Sequence, residues 1–247
     1  MDNTLYIGLS KQAALQRQMD VVANNLANMN TTAFKRESVL FQQYVQDGAA
    51  TAGTAKDDIA FVFDYGVARN FAPGAYIQTG NSLDVALTGK GFLMVEADDG
   101  DTMYTRNGHM SITEDGTLVT SSGHPILDDA GNAITITAAD RQLTIAKDGT
   151  ISGNQGVIAK LGVVEFAQED EQSIRKTGES LFSSTAAPQP AVDAQVLQGM
   201  VEGSNVEPIK EMTTMMQISR AYQQTARMLE QYQDIQNQSI QRLAKVQ

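Results

Sequence analysis

The 247-residue chain has no cysteine and no tryptophan, and only two histidines, His109 and His124. Without cysteine there are no disulfides, no thiolate nucleophile and no cysteine-ligated zinc. Two imidazoles cannot supply a three-histidine metal site from one chain. Seven tyrosines and eight phenylalanines are few for a large aromatic-lined substrate pocket. No run approaches the roughly 18 apolar residues of a membrane span. The opening Met1-Asp2-Asn3-Thr4-Leu5-Tyr6-Ile7-Gly8-Leu9-Ser10-Lys11-Gln12 lacks a basic n-region, a continuous apolar core and a small-residue cleavage site, so no cleaved secretory signal is expected. Basic residues are also in the minority, 18 against 29 acidic, for a net charge of −11. A general nucleic-acid binder needs a basic face to replace phosphate counterions, and that class is set aside.

The charge that is present is unevenly placed. Residues 1–40 and 205–247 each carry a net charge of +1, whereas 41–204 carry −13. The two neutral ends read as helices. Leu15, Met19, Val22, Leu26 and Met29 follow a 4-3-4-3 spacing, and Leu5 and Leu9 extend the stripe backward. At 1.5 Å per residue, a helix of about 28 residues spans ~42 Å. Near the other end, Pro208 suits a first helical turn, and no further Pro or Gly follows it. Met215, Ile218, Tyr222, Thr225, Leu229, Tyr232, Gln236, Ser239, Leu243 and Val246 alternate by three and four, a heptad seam that predicts a coiled coil. Neither helix can bury its stripe alone. Nine glutamines between 205 and 247 give this helix a neutral polar face.

The acidic centre follows a different pattern. From Phe92 to Ser184, short β-branched runs alternate with turns such as Asp98-Asp99-Gly100-Asp101, Glu114-Asp115-Gly116, Asp128-Asp129-Ala130-Gly131-Asn132 and Lys147-Asp148-Gly149. Turn signals about every 10 residues predict antiparallel β structure. The expected fold is α+β and multi-domain. A discontinuous helical coiled-coil domain (1–35 with 205–247) is joined through extended linkers (36–78 and 185–204) to a central antiparallel all-β domain (79–184).

No constellation supports catalysis. Asp98-Asp99-Gly100-Asp101 lacks the alternate ligands and closing Glu of a calcium loop and reads as a hairpin turn. Gly89-Lys90-Gly91 lacks the spacing and the Ser/Thr of a phosphate loop. The histidines stand near turns with no nucleophile motif beside them. No catalytic residue, cofactor or metal ligand is expected.

Val22-Ala23-Asn24-Asn25-Leu26-Ala27-Asn28, followed by Thr31-Thr32 and Phe34-Lys35-Arg36, closely resembles the N-terminal signature of flagellar rod and hook proteins. There the helix ends in an Ala-Asn-Asn-Leu-Ala-Asn run and a Thr-x-Gly-Phe-Lys turn; here Ala33 stands at the usual glycine. Thr79-Gly80-Asn81-Ser82-Leu83-Asp84-Val85-Ala86-Leu87 with Gly89-Lys90-Gly91-Phe92 is similar to the start of the family's β domain. Tyr104-Thr105-Arg106-Asn107-Gly108, Asp115-Gly116-Thr117-Leu118-Val119-Thr120 and Gly123-His124-Pro125-Ile126-Leu127 continue it in order. Ser204-Asn205-Val206, Glu211-Met212 and Arg220-Ala221-Tyr222 resemble its C-terminal signature. The length, the opening six residues and Pro73-Gly74 are most like the proximal rod members, with distal rod members the close alternative.

The resemblance implies a structural subunit of the flagellar rod in the periplasm. Such a subunit is exported unfolded by the type III apparatus and assembles with copies of itself and neighbouring rod proteins into a tube around the export channel. It implies an assembly interface on Leu15, Met19, Val22, Asn24, Asn25, Leu26, Asn28 and Phe34, facing Met212, Met215, Ile218, Arg220, Tyr222, Leu229 and Tyr232. Phe41 and Val45 fit a loose export-recognition pattern. The terminal helices are expected to order fully on assembly, and the glutamine face to point toward the channel. The rival class is a periplasmic β-domain enzyme or carbohydrate binder with a self-contained coiled coil.

Overall fold

A computed structural model describes residues 3–46, 59–137, 140, 143–167, 173–178 and 180–244. The chain forms two compact units. The first, helical unit takes Met1–Ala27, Glu37–Arg69 and Glu207–Gln247; the second, β unit takes Asn28–Arg36 and Asn70–Val206. The helix–β–helix order is present, and every strand ladder is antiparallel.

In the helical unit, helix α1 spans Asn3–Ala27 and helix α2 spans Pro208–Ala244. The first ends at Ala27 and is followed by a turn in which Thr31 N–H donates to the Asn28 carbonyl. Strands β1 (Glu37–Gln46) and β2 (Ile59–Arg69) pair along their whole length, with a bulge between Leu40 and Phe41. The run Ile59-Ala60-Phe61-Val62-Phe63 has the β-branched and aromatic content that favours a ladder. The stretch 36–78, expected as extended linker, thus contains a long hairpin. Most of its Ala/Gly/Thr-rich part, 47–58, lies outside the described residues.

The β unit centres on a six-stranded sheet, ordered Arg175–Gly178, Leu181–Ser183, Thr102–Thr105, Phe92–Glu96, Val163–Glu165, Gln189–Pro190. The Asp98–Asp101 turn joins two of these strands, as the sequence predicts, and Glu114-Asp115-Gly116 joins Met110–Ile112 to Leu118–Thr120. Ala133–Thr137 makes only isolated bridges, from Ala133 to Leu127 and Thr135 to Thr117. The core holds Val85, Leu87, Leu93, Val95, Met110, Leu118, Ile126 and Ile151, all buried. Beside it Phe71, Phe92, Tyr104, Phe166 and Phe182 pack edge to face at 4.9–5.8 Å, the geometry favoured by ring quadrupoles.

The returning chain closes this unit. Gln195–Gln198 pairs with Val85–Thr88, and Met200–Glu202 with Tyr76–Gln78. The 185–204 stretch, expected as linker, therefore contains three short strands. Its residues satisfy the backbone of the segments that begin the β unit.

Candidate assembly interface and two buried polar hubs

The two long helices pair antiparallel within one chain. Near one end, Gly8 of α1 lies against Leu229 of α2, where a Cβ on Gly8 would come within 2.5 Å of Leu229 Cδ2. Near the other, the Asn25 amide donates to Glu211 Oε2 at 3.3 Å. The intervening lengths are about 26 Å on α1 and about 27 Å on α2, so a single register fits both contacts. The packed stripe of α1 includes Leu5, Gly8, Leu15, Met19, Val22, Asn25 and Leu26. Leu9, expected on that stripe, is exposed at 56 %, because a 3-4 spacing from Leu5 through Gly8 turns it outward. On α2 the inner face holds Glu211, Met215, Ile218, Tyr222, Thr225, Leu229, Tyr232 and Gln236.

The expected interface residues therefore separate. Leu15, Met19, Val22, Asn25, Leu26, Met215, Ile218, Tyr222, Leu229 and Tyr232 are buried or half-buried in the single chain. Asn24, Met212 and Arg220 are exposed, and Asn28 is half-buried. Phe34 is buried in the β unit, with the Lys176 ammonium 4.4 Å from its ring centroid. Phe41 is half-buried and pairs with Asp64 in the β1–β2 ladder, while Val45 pairs with Ala60. Outside the inner stripe, a second apolar set faces solvent: Tyr6, Ile7 and Leu9 on α1, and Ile209, Met212, Met216, Met228 and Ile235 on α2. Ile209, Met212 and Met216 follow the 3-4 helical spacing and so share one flank. Gln217, Gln224, Gln231 and Gln238, seven residues apart, lie exposed on the face away from α1.

Asn25 is the polar hub of the helical unit. Fully buried, it accepts from Glu37 N–H at 2.9 Å and donates to the Glu37 carbonyl at 2.8 Å, acting as a strand neighbour to the first residue of β1. Glu37 in turn receives Arg69 Nε at 2.9 Å from its paired position on β2. One amide thus ties α1, β1 and α2.

Glu202 is the hub of the β unit. Its side chain is fully buried, and Oε1 accepts from Lys35 Nζ at 2.6 Å and from Gly74 N–H at 2.9 Å. Arg106 NH1 lies 3.3 Å from Oε2, and NH2 donates to the Gly89 carbonyl at 2.7 Å. Two cations thus share one carboxylate, and Arg106 Nε is buried with no hydrogen-bond partner among the described residues. Burial lowers the pKa of Lys35, partly countered by Glu202, and lowers that of Arg106 for the same reason. Neither Glu202, Lys35 nor Arg106 was expected as a site residue. Their signal was positional: Lys35 and Arg106 lie inside the N-terminal and β-domain signature blocks, and Glu202 sits just ahead of the C-terminal one.

His109 Nδ1 reaches Asp84 Oδ1 at 2.8 Å beside a turn, and His124 stands 3.6 Å from Asp98. Among the described residues no group of three His, Asp or Glu side chains is placed to hold a metal ion, and no helix is long and apolar enough to cross a membrane.

Comparison with known proteins matches the three parts separately. Residues 5–35 match the "Flagella basal body rod protein" family, 86–153 the "Flagellar hook protein FlgE/F/G D1 domain", and 197–242 the "Flagellar basal body rod FlgEFG protein C-terminal" family. A flagellar basal-body rod protein FlgF of Caulobacter vibrioides is 41% identical over the whole of both chains. The chain belongs to the flagellar basal-body rod protein family. A FlgF of Mesorhizobium japonicum is 30% identical over 98% of each chain, and a FlgG of Agrobacterium fabrum 31% identical over 91% of this chain and 93% of its own. Rod-family proteins are structural components of the flagellar basal body, not enzymes. Both buried hubs unite residues from these signature blocks, Asn25 with Glu211 in one and Lys35 with Arg106 in the other.

Proposed function

We propose that this chain is a proximal-rod subunit whose paired terminal helices pack against those of neighbouring subunits to form a tube that carries torque and encloses the export channel. The observation that carries this reading is the second apolar set on the helical unit. Ile209 is 81 % exposed and Ile235 62 %, on helices whose inner faces are already occupied. Each large apolar side chain moved out of water is worth roughly 1.5–3 kcal/mol, so such a row favours association. In the observed register, the last turns of α2 also extend past the start of α1, leaving that end for a neighbour. The exposed members Asn24, Met212 and Arg220 belong to contacts between subunits, and the half-buried members to the pair that presents them.

The export reading belongs to the same proposal: passage through the type III apparatus, with Phe41 and Val45 read before β1 has paired. The glutamine row is placed toward the channel, where a neutral hydrogen-bonding wall would not hold charged cargo. A distal-rod role is the second reading, favoured by relatives named FlgG at 31% identity.

Co-sedimentation of the tagged full chain with detergent-extracted basal bodies, after removal of hook and filament, tests the reading. Retention with the rod is expected. A chain that stays soluble while rods sediment normally overturns it, and position along the rod separates proximal from distal.

A further inference from the structure

The nine residues Asn28–Arg36 link α1 to β1 along the chain, yet they pack as part of the β unit. Their attachment is concentrated. Ala33 N–H donates to the Glu202 carbonyl at 2.7 Å, and Lys35 Nζ to Glu202 Oε1 at 2.6 Å and the Ala72 carbonyl at 3.0 Å. Arg36 N–H donates to Asn205 Oδ1 at 2.7 Å, and the Asn205 amide holds the Asn70 and Ala72 carbonyls at 2.8 and 2.9 Å. Phe34 fills a buried place under Lys176.

Two features oppose this attachment. Ala33 has φ +58°, in the left-handed region that is strained for an L-residue because its Cβ crowds the neighbouring carbonyl oxygen. Lys35 brings a second cation to a carboxylate already shared with Arg106, in a site with no water-exposed surface. Withdrawing Lys35 would leave a neutral Glu202–Arg106 pair still bonded to Gly74 N–H and the Gly89 carbonyl. The β unit's own core, centred on Leu93 and Val95, does not include any residue of the segment.

We propose that Asn28–Arg36 is a strap that leaves and re-seats on the β unit as one body while the β core stays folded, with Lys35 on Glu202 as its latch and the backbone of Ala33 as its opposing strain. Because Asn25 holds Glu37 beside the end of α1, release changes the path of the link and not the spacing of α1 and β1. The strap is adjustable because the strain at Ala33 and the burial of a second cation offset part of what its contacts contribute, the Lys35–Glu202 bond itself staying net favourable.

Hydrogen exchange on the isolated full chain tests this, read at the Arg36 amide of the strap and at the Ile126 and Leu127 amides of the core, which donate to Leu118 and Met94. In the unaltered chain the strap amide should exchange at least tenfold faster than the core amides. Ala33→Gly removes the strain at the cost of one buried methyl group and should still slow Arg36 exchange, about twofold, leaving Ile126 and Leu127 unchanged. Lys35→Met, which keeps much of the stem, should speed it tenfold or more with the core again unchanged. Strap and core amides exchanging together in all three chains would show that the strap opens only when the whole unit unfolds. An unchanged Arg36 rate in Ala33→Gly would equally overturn the proposal.

Discussion

The β unit and the helical unit use apolar surface in opposite ways. In the β unit Leu93, Val95 and Ile126 are sealed, and the early segments Tyr76–Gln78 and Val85–Thr88 are paired by strands that arrive at the unit's end. In the helical unit an equally apolar inner stripe is accompanied by an outer one that nothing among the described residues covers. One unit has solved its burial problem internally, and the other has solved half of it. A monomer has no reason to expose Ile209, Met212 and Met216 in a row; an assembling subunit does.

The most severe way to break this contrast is to attack each stripe in turn. Leu229→Asp or Leu26→Asp puts a charge into the α1–α2 seam, and incorporation into basal bodies should be abolished while the β unit keeps its own unfolding transition. Met216→Glu touches only the outer stripe. It should shift monomer stability by no more than about 0.5 kcal/mol, as for other exposed positions, and still reduce incorporation at least tenfold. Normal incorporation of Met216→Glu would mean the outer stripe is not used.

A smaller effect sharpens the polar half of the comparison. Asn25→Ala leaves the Glu37 N–H and carbonyl without their partner in a buried place, a loss of about 1–3 kcal/mol from the helical unit. Asn25→Asp keeps the acceptor but removes the donor and faces the Glu211 carboxylate with a second negative charge, so it should cost more than alanine. Thermal unfolding followed by far-UV circular dichroism checks the order. Alanine proving worse than aspartate would mean that Glu211 is not the controlling neighbour.

Much of this was legible in the sequence, and what was missed has a common cause. The heptad seam of α2 could be read because helical periodicity is local, and the Asp-Gly turns because turn chemistry is local. Helical spacing with Leu5 predicts Leu9 on the inner stripe, whereas packing selects Gly8, whose missing side chain admits Leu229. Ala33 could be identified as a departure from the signature's glycine, and its positive φ shows that the turn keeps the glycine conformation without the glycine. Glu202 could not be found by any local rule. Its role exists only when Lys35, Gly74 and Arg106 arrive from three other stretches of chain, and no spacing announces that meeting.

The subtlest difference between the units is their response to alkali, because among the described residues only the β unit buries a lysine. The folded pKa of Lys35 lies below 10.5, chiefly through burial. Between that folded value and 10.5 the unfolded chain therefore holds a proton that the folded chain has released. Stability contributed by this group must rise with pH across that window. Tyr76 and Tyr104 act in the other direction, since burial raises both above 10.0, and from there upward the unfolded chain loses protons the folded chain retains. The unfolding midpoint of the β unit should climb gently on the alkaline side of neutrality and then fall once the tyrosines titrate. Lys35→Met should remove the climb and leave the fall. Should the midpoint of the unaltered chain instead decline steadily from neutral pH, Lys35 is held charged by Glu202 more strongly than burial opposes it, and the latch is tighter than its excess charge implies.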